Sequence, residues 1–217
     1  MNRTKISKIA LIDYGAGNIQ SVYNALQKIK SDHDLSFDVI ITHNPTDIES
    51  ADKIIMPGVG SYNACMKGIL SHDGLKQAFD KAVLQDKKPF LGICVGMQLL
   101  SDYGLEHGHH QGLGYISGHV APFELPKDFK IPHVGWNIIH MSCEHPLLEG
   151  VRDMDYVYFV HSYYMQLDKK YIALMGNYGH DFPAMIIKDN IVGIQFHPEK
   201  SQSVGLNLLR NFILWTI

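Results

Sequence analysis

Short apolar runs recur through the first hundred residues, each closed by glycine, proline or polar side chains. Lys8-Ile9-Ala10-Leu11-Ile12-Asp13 stops at Tyr14-Gly15-Ala16-Gly17-Asn18, and residues 38–42 form a second run. Lys53-Ile54-Ile55-Met56 stops at Pro57-Gly58-Val59-Gly60, and residues 90–93 form a fourth. Runs this short, without polar alternation, predict strands buried on both faces. Between them the pattern lengthens to a helical period. Val22, Leu26 and Ile29 mark a helix over 19–30, and 62–70 and 75–85 predict two more. This alternation predicts the α/β class: a central, mostly parallel sheet flanked by helices.

From about residue 112 the grammar changes. Apolar, aromatic and β-branched runs at 118–123, 135–141, 155–161, 171–175, 184–188 and 191–196 predict added antiparallel strands. Lys188-Asp189-Asn190-Ile191 reads as a hairpin turn. Val204, Leu208, Leu209, Phe212 and Ile213 predict a closing amphipathic helix. No linker, repeat or low-complexity tract interrupts the chain, so residues 1–217 read as one domain.

Composition narrows the function. A net charge of −3, with 19% charged residues, gives no reason to invoke nucleic acid or an anionic membrane. No apolar run approaches membrane-spanning length. Met1-Asn2-Arg3-Thr4-Lys5 is basic, but the strand-like run after it does not resemble a signal segment. Three cysteines at irregular spacing do not make a disulfide framework. They predict a reduced, cytoplasmic protein in which Cys65 and Cys143 are small buried hydrophobes. His107-Gly108-His109-His110 reads as a solvated loop, without the partners a metal site needs.

Cys94 is different. Gly92-Ile93-Cys94-Val95-Gly96 follows an apolar strand and precedes a helix-like stretch, Met97-Gln98-Leu99-Leu100. A cysteine framed by glycines between strand and helix has the form of a nucleophile elbow, which presents the side chain to a substrate. A helix N-terminus behind it favours the thiolate. A thiol nucleophile needs a base, and the base an orienting group. His197-Pro198-Glu199 follows the last strand-like run, and a spacing of two places both side chains on one face of an extended segment. Cys94, His197 and Glu199 are thus a candidate triad.

These motifs, with four others, resemble the class I glutamine amidotransferases. Gly92-Ile93-Cys94-Val95-Gly96-Met97-Gln98 and Gln195-Phe196-His197-Pro198-Glu199 carry the general class. Asp13-Tyr14-Gly15-Ala16-Gly17-Asn18, Pro57-Gly58-Val59-Gly60, Pro132-His133-Val134-Gly135-Trp136-Asn137 and Tyr158-Phe159-Val160-His161-Ser162-Tyr163 are similar to the glutaminase subunits of imidazole glycerol phosphate synthase. Tyr62 stands where that family often has Phe, and Val134 where it often has Met. The resemblance implies hydrolysis of glutamine to glutamate and ammonia, with no metal and no organic cofactor. It implies oxyanion donors at Val95 and at Val59 or Gly60, and glutamine binding by Gly58, Gln98, His161, Ser162 and Tyr163. It further implies a heterodimer with a (β/α)8-barrel cyclase that takes up the ammonia, met by Asn18, Trp136 and Asn137. Asn18 also fits a helix N-cap, Trp136 a core position, and Gln98 a water-exposed first turn. Three alternatives stay open: a paralogous glutaminase serving another acceptor, such as a nucleotide-sugar amidotransferase; an inactive scaffold that only activates a synthase; and a stand-alone thiol hydrolase.

Overall fold

The computed structural model describes residues 7–217; the basic segment 1–5 lies outside them. Strand β1 (Ser7–Ile12) leads into α1 (Ile19–Asp32), which buries Val22, Ala25, Leu26 and Ile29 on one stripe. Then come β2 (Phe37–Thr42), α2 (Pro45–Ser50), β3 (Lys53–Gly58) and α3 (Tyr62–Leu70). Helix α2 escaped the sequence pattern because its six residues bury a single apolar side chain, Ile48. Its start is nevertheless written in the chain: Asn44 accepts the Thr46 N–H and Pro45 opens the helix. The helix expected over 75–85 begins as α4 (Leu75–Phe79) and continues as a wider π-turn over Asp80–Gln85. Strand β4 (Phe90–Cys94) runs straight into α5 (Val95–Gln98). The helical stretch expected at 97–100 is therefore one turn, shifted back to the cysteine. Beyond it the chain turns away, and the Leu99 carbonyl accepts the Leu113 N–H.

The second half of the chain supplies β5 (Tyr103–Gly104), β6 (His110–Gln111), β7 (Gly118–Pro122), β8 (His133–Met141), β9 (Tyr156–His161), β10 (Tyr163–Leu167), β11 (Ile172–Tyr178), β12 (His180–Lys188), β13 (Ile191–Ile194) and α6 (Gln202–Leu214). Strand β10 was not legible separately, because the apolar run of β9 continues into it across Ser162. The hairpin at Asp189-Asn190 is present, with Lys188 opposite Ile191 and Asp189 at φ 52°. Cys65 is buried as expected, but Cys143 is exposed. It lies between β8 and the turn at Pro146–Leu148, where no packed element covers it.

The described residues form a nine-stranded sheet in the order β2-β1-β3-β4-β13-β12-β11-β8-β9 and a four-stranded sheet, β10-β7-β5-β6. From β2 to β13 every pairing is parallel. From β13 to β9 every pairing is antiparallel. The parallel register sets the carboxyl ends of β1, β3, β4 and β13 along one edge. Ligand-binding loops gather at such an edge.

Candidate active site

Cys94 ends β4 with φ 57° and ψ −114°, a strained conformation for a residue with a β-carbon. Close packing holds it there. A β-carbon on Gly96 would lie 2.1 Å from the Met56 carbonyl oxygen, and one on Gly92 would lie 2.4 Å from that of Gly96. Only glycine permits these approaches. Val95 follows as the first residue of α5, where the N–H has no intrahelical acceptor.

Sheet register brings the other groups to the sulfur. Gly58 pairs with Cys94 on one side, and Ile194 pairs with Ile93 on the other. The chain beyond β13 therefore delivers residues 195–199 beside the elbow. The Gln195 Nε2 lies 4.0 Å from Cys94 Sγ, and the Val160 carbonyl oxygen 3.8 Å from it. His197 Nδ1 lies 2.9 Å from Glu199 Oε1. The carboxylate accepts, so Nδ1 carries a proton and Nε2 is left for Cys94, with which the ring also interacts. Burial alone would lower the His197 pKa. The neighbouring Cys94 and Glu199 outweigh it and raise the pKa to about 9. The Glu199 side chain is fully buried, and its Oε2 has no hydrogen-bond partner among the described residues.

The histidine's backbone is anchored as well. Its N–H donates to the Tyr158 carbonyl at 2.9 Å. The Ser201 hydroxyl donates to the His197 carbonyl at 2.7 Å and accepts the Tyr158 N–H at 3.0 Å. A 3₁₀ turn, Pro198–Lys200, then seats against α6. Gly205 makes that contact possible, since a β-carbon there would fall 2.0 Å from the Pro198 carbonyl oxygen.

These groups face a cavity of about 220 Å³, smaller than the roughly 300–1,000 Å³ of drug-sized ligand sites. Cys94, Val95, Val59, Gly60, Gln98 and His197 line it, together with residues 160–163. Gly58 lies one residue behind its wall. The Val59–Gly60 loop is braced from behind. The Tyr14 hydroxyl donates to the Pro57 carbonyl at 2.8 Å, and the Cys65 thiol to the Val59 carbonyl at 3.5 Å. Burial pushes the Cys65 pKa up to about 11, so it keeps the proton it donates. In a trans peptide the Gly60 N–H points opposite to that held carbonyl.

Gln98 is buried rather than water-exposed. Its Nε2 donates to the Tyr163 carbonyl and to Gln195 Oε1, both at 3.0 Å, which leaves Oε1 for the cavity. Glu106 also lines the cavity, and its Oε2 accepts the Tyr62 N–H at 2.7 Å. Sequence reasoning gave Glu106 no role and read residues 107–110 only as a solvated loop, since a lone carboxylate beside histidines and glycines carries no signal; His110 is in fact half-buried in β6. The turn between β5 and β6 brings Glu106 in. His107 and His109 are exposed on that turn, and among the described residues no three His, Cys, Asp or Glu side chains converge as metal ligands.

The residues expected to face a partner lie outside the cavity. Asn18 occupies the N-cap position of α1, but its side chain makes no capping bond. Trp136 is 46% exposed, which excludes a core role, and it meets the Tyr158 ring edge-on at 5.9 Å. Asn137, half-buried, donates to the Asn177 carbonyl at 2.8 Å.

The profile of the family Glutamine amidotransferase class-I matches residues 10–215. The imidazole glycerol phosphate synthase subunit HisH 1 of Campylobacter jejuni (strain RM1221) is 46% identical over 205 residues, covering 94% of this chain and 98% of the relative. Subunit HisH of Rhodospirillum rubrum is 43% identical over 212 residues, covering 96% and 99%. The HisH of Zymomonas mobilis is 44% identical, covering 99% of each. Among solved structures, a putative GMP synthase subunit of Thermoplasma acidophilum has a TM-score of 0.68 at 18% identity, covering 96% of this chain and 92% of that one. A glutamine amidotransferase of Thermotoga maritima has a TM-score of 0.64 at 16% identity, covering 95% and 96%. These two share the fold. The chain belongs to the class-I glutamine amidotransferase family and, within it, to the HisH subunits of imidazole glycerol phosphate synthase.

Proposed function

We propose that this chain is the glutaminase of imidazole glycerol phosphate synthase, releasing ammonia from glutamine for a partner subunit in histidine biosynthesis. The observation that carries this reading is the 2.9 Å contact of His197 Nδ1 with buried Glu199, in the same cavity as Cys94 at the strained elbow. The Cys94 thiolate attacks the side-chain amide carbon, and His197 holds the proton it took from the thiol. That proton passes to the leaving nitrogen, ammonia departs and a thioester remains. Water, deprotonated by His197, hydrolyses it to glutamate. Glu199 orients the imidazole and stabilises its charged form. The Val95 N–H and an N–H of the Val59–Gly60 loop stabilise the oxyanion.

The amino-acid end of glutamine needs acceptors for its ammonium group. Gln98 Oε1 and the Glu106 carboxylate supply them, with the backbone of His161, Ser162 and Tyr163 beside them. Gly58 contributes by lying close behind Cys94. The partner is a (β/α)8-barrel cyclase, which takes ammonia directly because free ammonia protonates at neutral pH and ceases to be a nucleophile. Asn18 and exposed Trp136, with Asn137, form the docking face. Residues 1–217 act as one domain, a reading supported by the strands from both halves of the chain that share one sheet.

Glutamate release by the purified chain tests this reading. It should be low alone and rise steeply with the cyclase and its nucleotide substrate. Cys94→Ala should remove it, by about 10⁴-fold or more. No rise, with a cyclase competent on free ammonia, would redirect the search to another acceptor enzyme.

A further inference from the structure

Strands β8 and β9 pair His133 directly opposite His161, and the two rings meet below the glutamine cavity. His161 Nδ1 lies 3.0 Å from the Tyr163 carbonyl oxygen, and its Nε2 lies 3.0 Å from His133 Nδ1. His133 Nε2 lies 3.3 Å from Asn137 Nδ2.

Only one proton arrangement satisfies all three contacts. A carbonyl oxygen can only accept, so His161 Nδ1 carries its ring proton and Nε2 is bare. His133 Nδ1 must then donate, which leaves His133 Nε2 bare and the Asn137 amide donating to it. Asn137 is itself held in that orientation, since its Nδ2 also donates to the Asn177 carbonyl and its Oδ1 accepts the Ile138 N–H at 2.8 Å. The His133 ring stacks on Tyr178 at 4.1 Å and on Phe159 at 5.0 Å, so it cannot turn freely. Burial lowers both histidines, to about 4 for His133 and about 3 for His161, so each keeps a single ring proton.

The chain of donors ends at the Tyr163 carbonyl, and that oxygen also accepts from Gln98 Nε2. We propose that His133 and His161 are positioning residues, a one-way hydrogen-bond relay from Asn137 that holds the Tyr163 carbonyl and so fixes which end of the Gln98 amide faces the glutamine site. With Tyr163 held, Gln98 presents Oε1, the acceptor a substrate ammonium needs. With Tyr163 released, Nε2 keeps only its bond to Gln195 Oε1, and the amide turns more readily to offer N–H groups, which repel the ammonium. The proposal rests on the glutaminase reading above, and it separates binding of the amino-acid end from the chemistry at Cys94.

Two electrophiles test it. A glutamine-shaped diazo ketone must be held by its amino-acid end to alkylate Cys94, whereas iodoacetamide needs only the thiolate. In the complex with the cyclase, His133→Phe keeps the ring stack but cannot donate. It should raise the KM for glutamine about ten-fold, the worth of one good hydrogen bond, with kcat within about three-fold. Diazo ketone labelling should slow in step with KM, and iodoacetamide labelling should hold within about two-fold. His133→Asn, which replaces the Nδ1 donor with an amide N–H, should recover most of the loss. Asn137→Ala, assayed with the cyclase in saturating excess because Asn137 also lies on the docking face, should raise KM about three-fold and slow diazo ketone labelling of the chain without the cyclase by the same factor, and it decides the question if His133→Phe fails to fold. An unchanged KM in these variants would overturn the relay. So would iodoacetamide and diazo ketone labelling falling together, which marks a general loss of the site. Wild-type chain that takes iodoacetamide but never the diazo ketone would instead sink the glutaminase reading, and the relay with it.

Discussion

His161 and His197 line the same cavity and are driven in opposite directions. His197 is raised to about 9 and His161 lowered to about 3, although both are buried. Burial pushes each of them down, so the difference lies in their partners. His197 has the Glu199 carboxylate on one nitrogen and Cys94 near the other. His161 has a carbonyl oxygen and the neutral ring of His133, with the rings of Phe123 and Phe182 at 5.1 and 5.0 Å. Burial dominates at His161, and the Tyr163 carbonyl, which by itself favours the charged ring, does not offset it as a carboxylate and a thiol do at His197. One wall thus holds a histidine poised to carry a proton and a pair built never to take a second one. In the proposed mechanism, proton transfer belongs to the first region and orientation to the other.

The largest effect that could break this contrast is removal of the anion. Glu199→Gln keeps the side chain's size but not its charge, so kcat should fall by roughly 10³–10⁴-fold. The His197 pKa, followed by NMR, should drop from about 9 toward or below its ordinary value. If activity falls while the pKa stays, the carboxylate is not what sets the charge.

A smaller effect, on stability, should show the opposite signs directly. The unfolded chain takes up protons at His133 and His161 below about 6.5, and the folded chain does so only near 4 and 3. Their contribution is complete above pH 6.5 and is lost as pH falls, by about 1.4 kcal/mol per pH unit for each histidine. His197 holds its proton to about 9 when folded, so its contribution is complete below 6.5 and is lost as pH rises through 9. Urea unfolding across about pH 5–9 should therefore give a maximum near pH 6.5. His133→Phe should flatten the acid side, and Glu199→Gln the alkaline side. Unaltered slopes in these variants would assign the pH dependence to other groups.

The smallest expected effect sharpens the comparison. Ser201→Ala removes the hydroxyl that ties the His197 carbonyl to the Tyr158 N–H. Because a buried N–H loses its acceptor, the loss of stability should be about 1–3 kcal/mol, read as a lower urea midpoint. Turnover should fall only a few-fold while the His197 pKa stays high. A collapse of that pKa would mean that the backbone anchor, rather than the carboxylate, creates the charged histidine.

How much of this was legible in the chain depends on how local the cause is. The elbow could be read because Gly92, Cys94 and Gly96 lie within five residues, and their glycines answer a need for close packing that neighbours in sequence announce. His197 and Glu199 sit two apart and could be read as a pair for the same reason. Glu106 could not, since it reaches the cavity only when the β5–β6 turn folds over α3. Nor could the relay. Residues 133 and 161 meet through strand register, and a slip of one residue would send one of them to the other face. Trp136 fits two environments on paper, Cys143 reads as buried, and Gln98 again fits two. Only the packing around them decided that the first two are exposed and the third buried.

By itself, then, the sequence determined the alternation of strands and helices, the glycine-framed cysteine and the His–Glu pair, because each follows from periodicity or from spacings of a few residues. The tertiary structure alone decided which histidine is charged, which carbonyl holds Gln98 and which carboxylate enters the cavity. Those properties depend on desolvation and on partners dozens of residues away, and no local pattern encodes the distance between two groups that meet only after the sheet has formed.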